Sequence, residues 1–177
     1  AMGRPMALHL QRAGHDLHVW ARCPESAAGL PATFCATPAE LGSRCEVVFT
    51  IITSSADVEA VALGANGLVD GMAPDSVLVD CSTIAPDTAR HIAARLAERG
   101  IHMLDAPVSG GAQGAIDATL AIMAGGDAAV LERVRPLLAC LGQRIVHIGP
   151  NGAGQVAKAC NQMIMVAAIE AAAEALR

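Results

Sequence analysis

Two hydrophobic patterns alternate along the chain. Continuous apolar runs occupy Glu46 to Ile52 and Val77 to Cys81, and such runs are typical of strands covered on both faces. A segment with helical periodicity follows each run, over Asp57 to Leu63 and over Pro86 to Arg99, and the second is closed by Gly100. This repeated order of strand and helix predicts an α/β fold built on a doubly wound, mainly parallel sheet.

The rest of the chain extends the same alternation. We predict further helices over residues 3–13, 38–42 and 128–138, and further strands over residues 17–20, 102–105, 120–124 and 144–148. The last apolar stretch, Val156 to Leu176, lacks proline and glycine and predicts a helix that begins near Gly154. Five polar residues interrupt this stretch, so we do not interpret it as a membrane span.

The start of the chain bears on the kind of sheet. A nucleotide-binding sheet normally opens with a strand that turns through G-x-G-x-x-G into a helix. Here Ala1-Met2-Gly3 stands directly before the first predicted helix, which suits the tail of such a motif with the first strand missing. The sequence therefore predicts a Rossmann-type dinucleotide-binding domain over residues 1–150, incomplete at its N-terminus, followed over residues 151–177 by the start of an interdomain helix.

Composition narrows the function. With 53% hydrophobic residues and a formal net charge of −5, the chain has a full core and no excess of basic charge that would attract nucleic acid. Aromatic residues make up 2%, which leaves few platforms for stacked bases. The six cysteines form no CxxC pair and the six histidines no metal-binding spacing. We interpret the cysteines as reduced and mostly buried, expect no metal, and favour the cytoplasm.

One basic side chain stands apart from the others. Of the 12 basic residues, 11 are arginine, and the single lysine, Lys158, lies in the run Gly-Ala-Gly-Gln-Val-Ala-Lys-Ala-Cys-Asn over residues 152–161. Only an ammonium group can lose its proton near neutral pH, so Lys158 is a candidate proton donor. Asn161 shares its helix face. Ordinary surface solvation of both side chains is the alternative.

Four segments in this order carry a family resemblance. They are Ala-Met-Gly-Arg-Pro-Met-Ala at the start, Val-Asp-Cys-Ser-Thr-Ile-Ala-Pro at residues 79–86, Asp-Ala-Pro-Val-Ser-Gly-Gly at residues 105–111, and the Lys158 run. Together they resemble the β-hydroxyacid dehydrogenases, the group that contains 3-hydroxyisobutyrate dehydrogenase and tartronate semialdehyde reductase. The resemblance spans almost the whole chain. It implies reversible hydride transfer between a nicotinamide cofactor and a short hydroxy acid or semialdehyde.

The resemblance assigns roles to residues near the reacting atoms. Lys158 is similar to the catalytic lysine that protonates the carbonyl oxygen, and Asn161 to the residue that orients the substrate hydroxyl or the lysine. Ser109, Gly110 and Gly111 resemble the loop that holds the substrate carboxylate, where glycines let backbone N–H groups approach an anion. A plain turn after a strand is the less favoured alternative for this loop.

Cofactor contacts are expected at four places. Met2 and Gly3 would lie at the dinucleotide. Arg22 follows the second expected strand of the domain, where an arginine meets a 2′-phosphate and an acid would meet ribose hydroxyls, so we favour NADP over NAD. Thr83 resembles the residue on the nicotinamide side, although it also fits a helix-start signal. Ile52, followed by Thr53, stands where the family usually has Leu-Pro to line the cofactor.

Substrate and assembly are expectations from the same resemblance. Asn161-Gln162 is closer to the tartronate semialdehyde reductases, which favours 2-hydroxy-3-oxopropionate, with 3-hydroxyisobutyrate as the second choice. The family has a further all-helical domain that supports dimerisation, so we expect a fragment, inactive alone and homo-oligomeric when full length. Two alternatives are a non-catalytic dinucleotide-binding or assembly module and an imine-reducing relative. Both tend to lack the lysine.

Overall fold

The computed structural model describes residues 2–177, so Ala1 of the first motif lies outside the described residues. The strands are β1 (His18–Val19), β2 (Thr33–Phe34), β3 (Val47–Thr50), β4 (Val77–Asp80), β5 (His102–Asp105), β6 (Val108–Ser109), β7 (Leu120–Gly125) and β8 (Gly142–Gly149). The helices are α1 (Gly3–Arg12), α2 (Pro38–Arg44), α3 (Ser55–Leu63), α4 (Leu68–Gly71), α5 (Pro86–Ala97), α6 (Gly111–Ile116), α7 (Ala128–Ala139) and α8 (Ala153–Ala175), with a 3₁₀ turn at Pro24–Ala27.

A six-stranded sheet organises the chain. Its order is β3-β4-β5-β7-β6, with β8 paired to β7, while β1 and β2 form a separate parallel pair. The pairs β3-β4, β4-β5 and β7-β8 are parallel. The α/β fold of Rossmann type with a mainly parallel sheet, predicted from the alternation of apolar runs, is therefore confirmed.

The central strand β4 shows why the sheet carries helices on both faces. All four of its residues are buried, as its continuous apolar run predicts. Val77 and Val79 belong to one apolar cluster with α1 and α7, whereas Leu78 belongs to the other with α3 and α5. Successive side chains of a strand point to opposite faces, so one strand feeds both layers of the core.

Part of the sheet departs from the prediction. β7 runs antiparallel to β5 and to β6, because the chain between β5 and β7 turns back through the short helix α6 and makes no full crossover. An apolar run does not encode strand direction. The glycine-rich segment predicted as a loop forms β6 and α6, and the helix α4 was also not predicted.

The cysteines are less buried than predicted. In residues 2–177 only Cys35 and Cys81 are buried, whereas Cys23 and Cys160 are exposed and the remaining two are intermediate, and all six are free thiols. The prediction of mostly buried side chains was wrong, because cysteine is small enough to stand at helix surfaces such as that of α8. The prediction of reduced thiols is consistent with the absence of disulfide bonds among the cysteines of residues 2–177.

The helix α8 packs on the sheet only through its first turns. Beyond Gln162 its residues are exposed, and they include Met163, Ile164, Val166 and Ile169. By length and composition it is apolar enough to cross a membrane, contrary to the interpretation of its sequence, and it is the one such helix in residues 2–177. Helices that pack within soluble proteins pass the same test, so this property does not place the chain in a membrane.

Candidate active site

The carboxyl ends of three parallel strands meet at one edge of the sheet. Thr50, Asp80 and Asp105 end β3, β4 and β5, lie opposite one another in register, and are all buried. Asp80 Oδ1 accepts hydrogen bonds from Thr50 Oγ1 at 2.7 Å and from the Ser82 backbone N–H at 3.2 Å, while Asp80 Oδ2 has no partner in the described residues. Burial raises the pKa of the Asp80 carboxyl. Ligands of open α/β sheets bind at this edge.

Asp105 joins the sheet to α8. Its Oδ1 accepts the Gly152 N–H at 2.7 Å, and its Oδ2 accepts the Gln155 N–H at 3.0 Å. These are N–H groups of the first turn of α8, which have no partner within the helix, so a residue 47 positions earlier in the chain caps it. Burial raises the pKa of Asp105, and the two N–H donors oppose that rise. Asp105 therefore fixes the start of α8 to the end of β5.

Gly154 allows α8 to lie directly on the strands. A Cβ atom at this position would stand 2.3 Å from the Met123 carbonyl oxygen and 2.6 Å from the Asp105 carbonyl oxygen. Both neighbours are backbone atoms of the sheet and cannot rotate away. Gly152, at a positive φ of 88°, supplies the turn before the helix. The two glycines of the lysine run therefore have a structural explanation in the approach of α8 to the sheet.

Lys158 follows one turn after Gln155 on the buried side of α8. Its side chain is only 8% exposed, and among residues 2–177 it forms no hydrogen bond or ion pair. Burial lowers the pKa of Lys158. A partly desolvated amine with a lowered pKa can exchange its proton more readily than a solvated lysine, which is the property that general acid catalysis needs.

Asn161 is half-buried on the same face. Its Nδ2 donates to Gln162 Oε1 at 3.4 Å, and no hydrogen bond joins it to Lys158 within the part of the chain that the structure describes. The two side chains thus share a face, three positions apart, without touching through polar atoms.

Ser109, Gly110 and Gly111 continue the chain beyond the carboxyl end of β5. Ser109 ends β6, opposite Ala121 of β7. Gly110 and Gly111 have positive φ values of 132° and 63°, which only glycine adopts readily, and both are exposed. They stand at the start of α6, and no hydrogen bond joins them to Lys158 within residues 2–177.

The start of α1 has the features of an anion-binding helix N-terminus. Its N-cap residue Met2 forms no side-chain cap, and its first turn has no acidic residue, so the helix N-terminus offers free N–H groups and a positive dipole end. Gly3 lies against Ile51, directly after β3, where a Cβ would stand 3.0 Å from the Ile51 side chain. A larger residue at this position would therefore require the Ile51 side chain to shift by a few tenths of an ångström.

The other predicted cofactor residues lie in the loops after β3 and β4. The Ile52 backbone N–H donates to Ser82 Oγ at 2.8 Å, which ties the two loops together. The Ile52 side chain packs against the α3 and α5 cluster, so it faces the core rather than the edge. Thr83 is exposed. Of these two side chains, that of Thr83 is exposed and that of Ile52 is half-buried.

Arg22 has an acidic partner that local sequence did not reveal. Its guanidinium donates to Asp57 Oδ1 at 3.0 Å, while 71% of its side chain remains exposed. Hydrogen bonding from Ser54 and the charge of Arg22 lower the pKa of Asp57. Asp57 belongs to the cap of α3, where Ser54 Oγ accepts the Asp57 N–H. The pattern Ser-x-x-Asp marks that cap in the sequence but does not say which loop the carboxylate faces.

Gln155 is a residue of the site that the sequence did not predict. Its side chain is 1% exposed, although it lies one turn from Lys158 in the same run. Its Oε1 accepts the Ile84 N–H at 3.1 Å, and its Nε2 donates to the Ser82 carbonyl at 2.8 Å. A glutamine on the buried face of an amphipathic helix was the available signal.

Metal ligands are not assembled in the described chain. Within residues 2–177, no group of three or more His, Cys, Asp or Glu side chains is placed to hold a metal ion.

Comparison with known proteins gives consistent results. Residues 1–149 match the family described as the NAD binding domain of 6-phosphogluconate dehydrogenase. Over 99% of its length the chain is 44% identical to an NAD-dependent L-serine dehydrogenase of Pseudomonas aeruginosa, and over 99% it is 42% identical to a 2-hydroxy-3-oxopropionate reductase of Escherichia coli. It covers 60% and 61% of those proteins.

A solved structure shows the same architecture. The structure of Mycobacterium tuberculosis 3-hydroxyisobutyrate dehydrogenase with L-serine superposes with a TM-score of 0.93 at 36% identity, covering 98% of this chain and 60% of that one. The chain thus spans about three fifths of the length of the relatives it matches. Because 98% coverage leaves out only a few residues, most of α8 has a counterpart in that enzyme.

Proposed function

The chain belongs to the β-hydroxyacid dehydrogenase family, and on that premise we propose that it is the dinucleotide-binding part of an oxidoreductase. The enzyme transfers hydride between NADP(H) or NAD(H) and a short 3-hydroxy acid or its semialdehyde. The observation that carries the proposal is Lys158, a largely buried residue whose amine has no polar partner in residues 2–177, on a helix capped at the carboxyl edge of the sheet.

Lys158 supplies the proton. When bound, the reduced nicotinamide provides the hydride for the carbonyl carbon. The carbonyl oxygen gains negative charge as that bond forms, and the Lys158 ammonium stabilises the charge and donates its proton to the oxygen. The product is the alcohol, with Lys158 left as the neutral amine. In the oxidative direction the neutral amine would take the hydroxyl proton while the carbon gives its hydride to the oxidised nicotinamide.

Other residues bind and orient. We assign the substrate carboxylate to Ser109, Gly110 and Gly111, because the two positive-φ glycines expose backbone N–H groups beside a hydroxyl donor. Asn161, three positions after Lys158, is assigned to the substrate hydroxyl. Gly3 and Met2 at the uncapped start of α1 are assigned to the diphosphate, and Thr83 to the nicotinamide side. Ile52 contributes through its backbone, since its side chain faces the core.

The proposed substrate is 2-hydroxy-3-oxopropionate, with 3-hydroxyisobutyrate second. Asn161-Gln162 supports this order, and the identity to the Escherichia coli reductase supports the substrate class. The relative from Pseudomonas aeruginosa acts on L-serine, a three-carbon acid like 2-hydroxy-3-oxopropionate, in which an amino group stands on the carbon next to the carboxylate. The substrate class is therefore a three- or four-carbon acid with a terminal alcohol or aldehyde.

A panel assay tests the proposed function. The full-length protein is mixed with NADPH or NADH and, in turn, with 2-hydroxy-3-oxopropionate and methylmalonate semialdehyde, and with NADP⁺ or NAD⁺ and 3-hydroxyisobutyrate or L-serine. We expect absorbance change at the nicotinamide band with at least one three- or four-carbon substrate. Simple aldehydes without a carboxylate serve as the control, and equal rates with them would contradict the assigned carboxylate loop.

Cofactor choice gives a second prediction. We propose that Arg22 binds the 2′-phosphate of NADP, so Arg22→Ala should lower kcat/KM for NADP(H) about tenfold and leave NAD(H) unchanged, as expected for loss of one charge-assisted contact. Asp57→Asn frees Arg22 from its 3.0 Å ion pair and removes a negative charge near the phosphate, so it should raise kcat/KM for NADP(H). A parallel loss with both cofactors in Arg22→Ala would exclude this role.

The division of the chain and its assembly are proposals of the same kind. We assign residues 1–150 to the dinucleotide-binding domain and residues 151–177 to a helix that connects it to the rest of the full-length protein. The exposed apolar side chains of α8 support burial of this helix in a homo-oligomer or against a further domain. Free cysteines support a cytoplasmic protein. Lys158 argues against the non-catalytic and imine-reducing alternatives.

A further inference from the structure

We infer that Gln155 is a positioning residue that fixes α8, the helix that carries Lys158, relative to the loop after β4. The loop consists of residues 82–84 and includes Thr83, assigned above to the nicotinamide side. This inference rests on the proposed function, since it concerns how the proton donor and the hydride donor are held in one geometry.

The contacts of Gln155 join two distant parts of the chain. Its amide oxygen accepts the N–H of Ile84 at 3.1 Å and its amide nitrogen donates to the carbonyl of Ser82 at 2.8 Å, so both polar ends of one side chain are used. The two loop residues flank Thr83 on either side. The side chain is 1% exposed, and water cannot replace these hydrogen bonds. Gln155 therefore holds the backbone of the loop on both sides of Thr83.

The first residue of the loop is also held by hydrogen bonds to the sheet and to the loop after β3. Ser82 Oγ accepts the Ile52 N–H at 2.8 Å, and the Ser82 N–H donates to the buried Asp80 carboxyl at 3.2 Å. The first residue of the loop is thus fixed to the sheet. Within the part of the chain that the structure describes, no other side-chain hydrogen bond links α8 to residues 82–84. Gln155 is the polar link between this loop and the helix of Lys158.

The spacing on α8 explains why this link matters for chemistry. The Gln155 backbone N–H is bound by Asp105, its side chain holds the loop, and Lys158 follows three residues later on the same buried side. A shift of about 1 Å between the proton donor and the hydride donor lowers the rate by roughly 100-fold, since both transfers require aligned atoms. Gln155 sets this relation without touching the reacting atoms.

Gln155→Met is the main variant in the test. Methionine keeps the length of the side chain and removes both hydrogen bonds. With the full-length protein we expect kcat to fall roughly 10- to 100-fold, the KM for the acid substrate to change less than about threefold, and the deuterium isotope effect with 4-deuterated cofactor to increase as hydride transfer slows. A merely structural role would lower the melting temperature and leave kcat per folded site and the isotope effect unchanged.

Gln155→Glu is the conservative variant. The carboxylate can still accept the Ile84 N–H, but it presents a second acceptor to the Ser82 carbonyl. A protonated glutamic acid would donate to that carbonyl and restore both hydrogen bonds. We therefore expect the activity of Gln155→Glu, taken relative to the parent protein at each pH, to recover as pH falls. A relative activity that stays constant across the pH range would contradict a role for the hydrogen bond between residue 155 and the Ser82 carbonyl.

Asp127→Ala is the matched control. Asp127 accepts two backbone N–H groups, of Ala129 at 2.7 Å and Val130 at 3.1 Å, and caps α7 away from residues 82–84. Its loss also removes two side-chain to backbone hydrogen bonds, so it reports the effect of general destabilisation. We expect a lower melting temperature and an unchanged kcat. If Gln155→Met behaves in the same way, the inference is overturned.

Hydrogen exchange keeps this test separate from the proposed function. Addition of NADPH or NADH should slow amide exchange both in residues 82–84 and in the first turns of α8 of the parent protein. In Gln155→Met the effect on α8 should be lost. Equal protection of α8 in both proteins would overturn the inference even when every candidate substrate is inert, and inert substrates alone would reject only the proposed function.

Discussion

Lys158→Ala is expected to lower kcat for semialdehyde reduction about 1,000-fold, within the range that one general acid contributes. Alanine removes the proton donor and the charge beside the developing alkoxide. It leaves the helix intact, because alanine is the best helix former and Lys158 has no polar partner in the described residues to lose. Cofactor affinity should be unchanged. Steady-state kinetics and titration of bound NAD(P)H fluorescence check both statements.

The pH dependence of the reaction rate follows from the direction in which the pKa of Lys158 is shifted. Burial lowers the pKa of Lys158, so the ammonium needed for reduction is lost at a lower pH than for a solvated lysine. The rate of reduction should fall as pH rises through that lowered pKa, and the rate of oxidation should rise over the same interval because it needs the neutral amine. In Lys158→Arg the charge remains but the proton is held too tightly, and this pH step should disappear. A step that persists in Lys158→Arg would assign it to another group.

Gly154→Ala is expected to have the largest effect on stability, a loss of about 3 kcal/mol in the free energy of unfolding. The new Cβ would lie 2.3 Å from the Met123 carbonyl oxygen and 2.6 Å from that of Asp105, so α8 would have to move off the sheet. The movement would also lengthen the hydrogen bonds between Asp105 and the first turn of α8. Denaturant unfolding measures the loss.

Gly114→Ala is the matched control for this steric effect. Gly114 is also helical, but the nearest atoms to its added Cβ belong to side chains, Leu120 Cδ2 at 3.2 Å and Thr119 Oγ1 at 3.7 Å. These can rotate, and alanine gains helix propensity, so a change within about 1 kcal/mol is expected. Similar losses in both variants would show that the backbone contact of Gly154 is not what decides its cost.

The strands of the parallel half could be predicted because local pattern determines them. The continuous run from Val77 to Cys81 and the predicted strand over residues 102–105 stand between turn and helix signals. β4 ends one residue before the predicted run, and β5 has the predicted bounds. Strand direction is different. The residues of β7 are apolar whichever way the strand runs, and its antiparallel pairing is set by the path through α6, which a pattern of apolar positions does not record.

The candidate site was predictable only where its residues lie close together in sequence. The run around Lys158 contains the amine and both glycines, so composition and helix rules found it. Asp57 and Gln155 act on residues 35 and 71 to 73 positions away, through contacts that only the folded chain brings together. Asp57 is recognisable as part of a helix cap, and Gln155 as a polar side chain on a buried face, yet neither pattern names its partner.

The attachment of α8 at one end makes this helix a lever. Asp105 and Gln155 hold its first turn, whereas the stretch from Met163 onward stands free of the sheet. About 20 residues of rigid helix beyond the pivot correspond to roughly 30 Å, so a tilt of about 5° at the pivot would swing the far tip by roughly 2 to 3 Å. A small rearrangement of the loop that contains Thr83 would therefore be amplified along α8 into a larger displacement of any surface that packs on the far end of the helix.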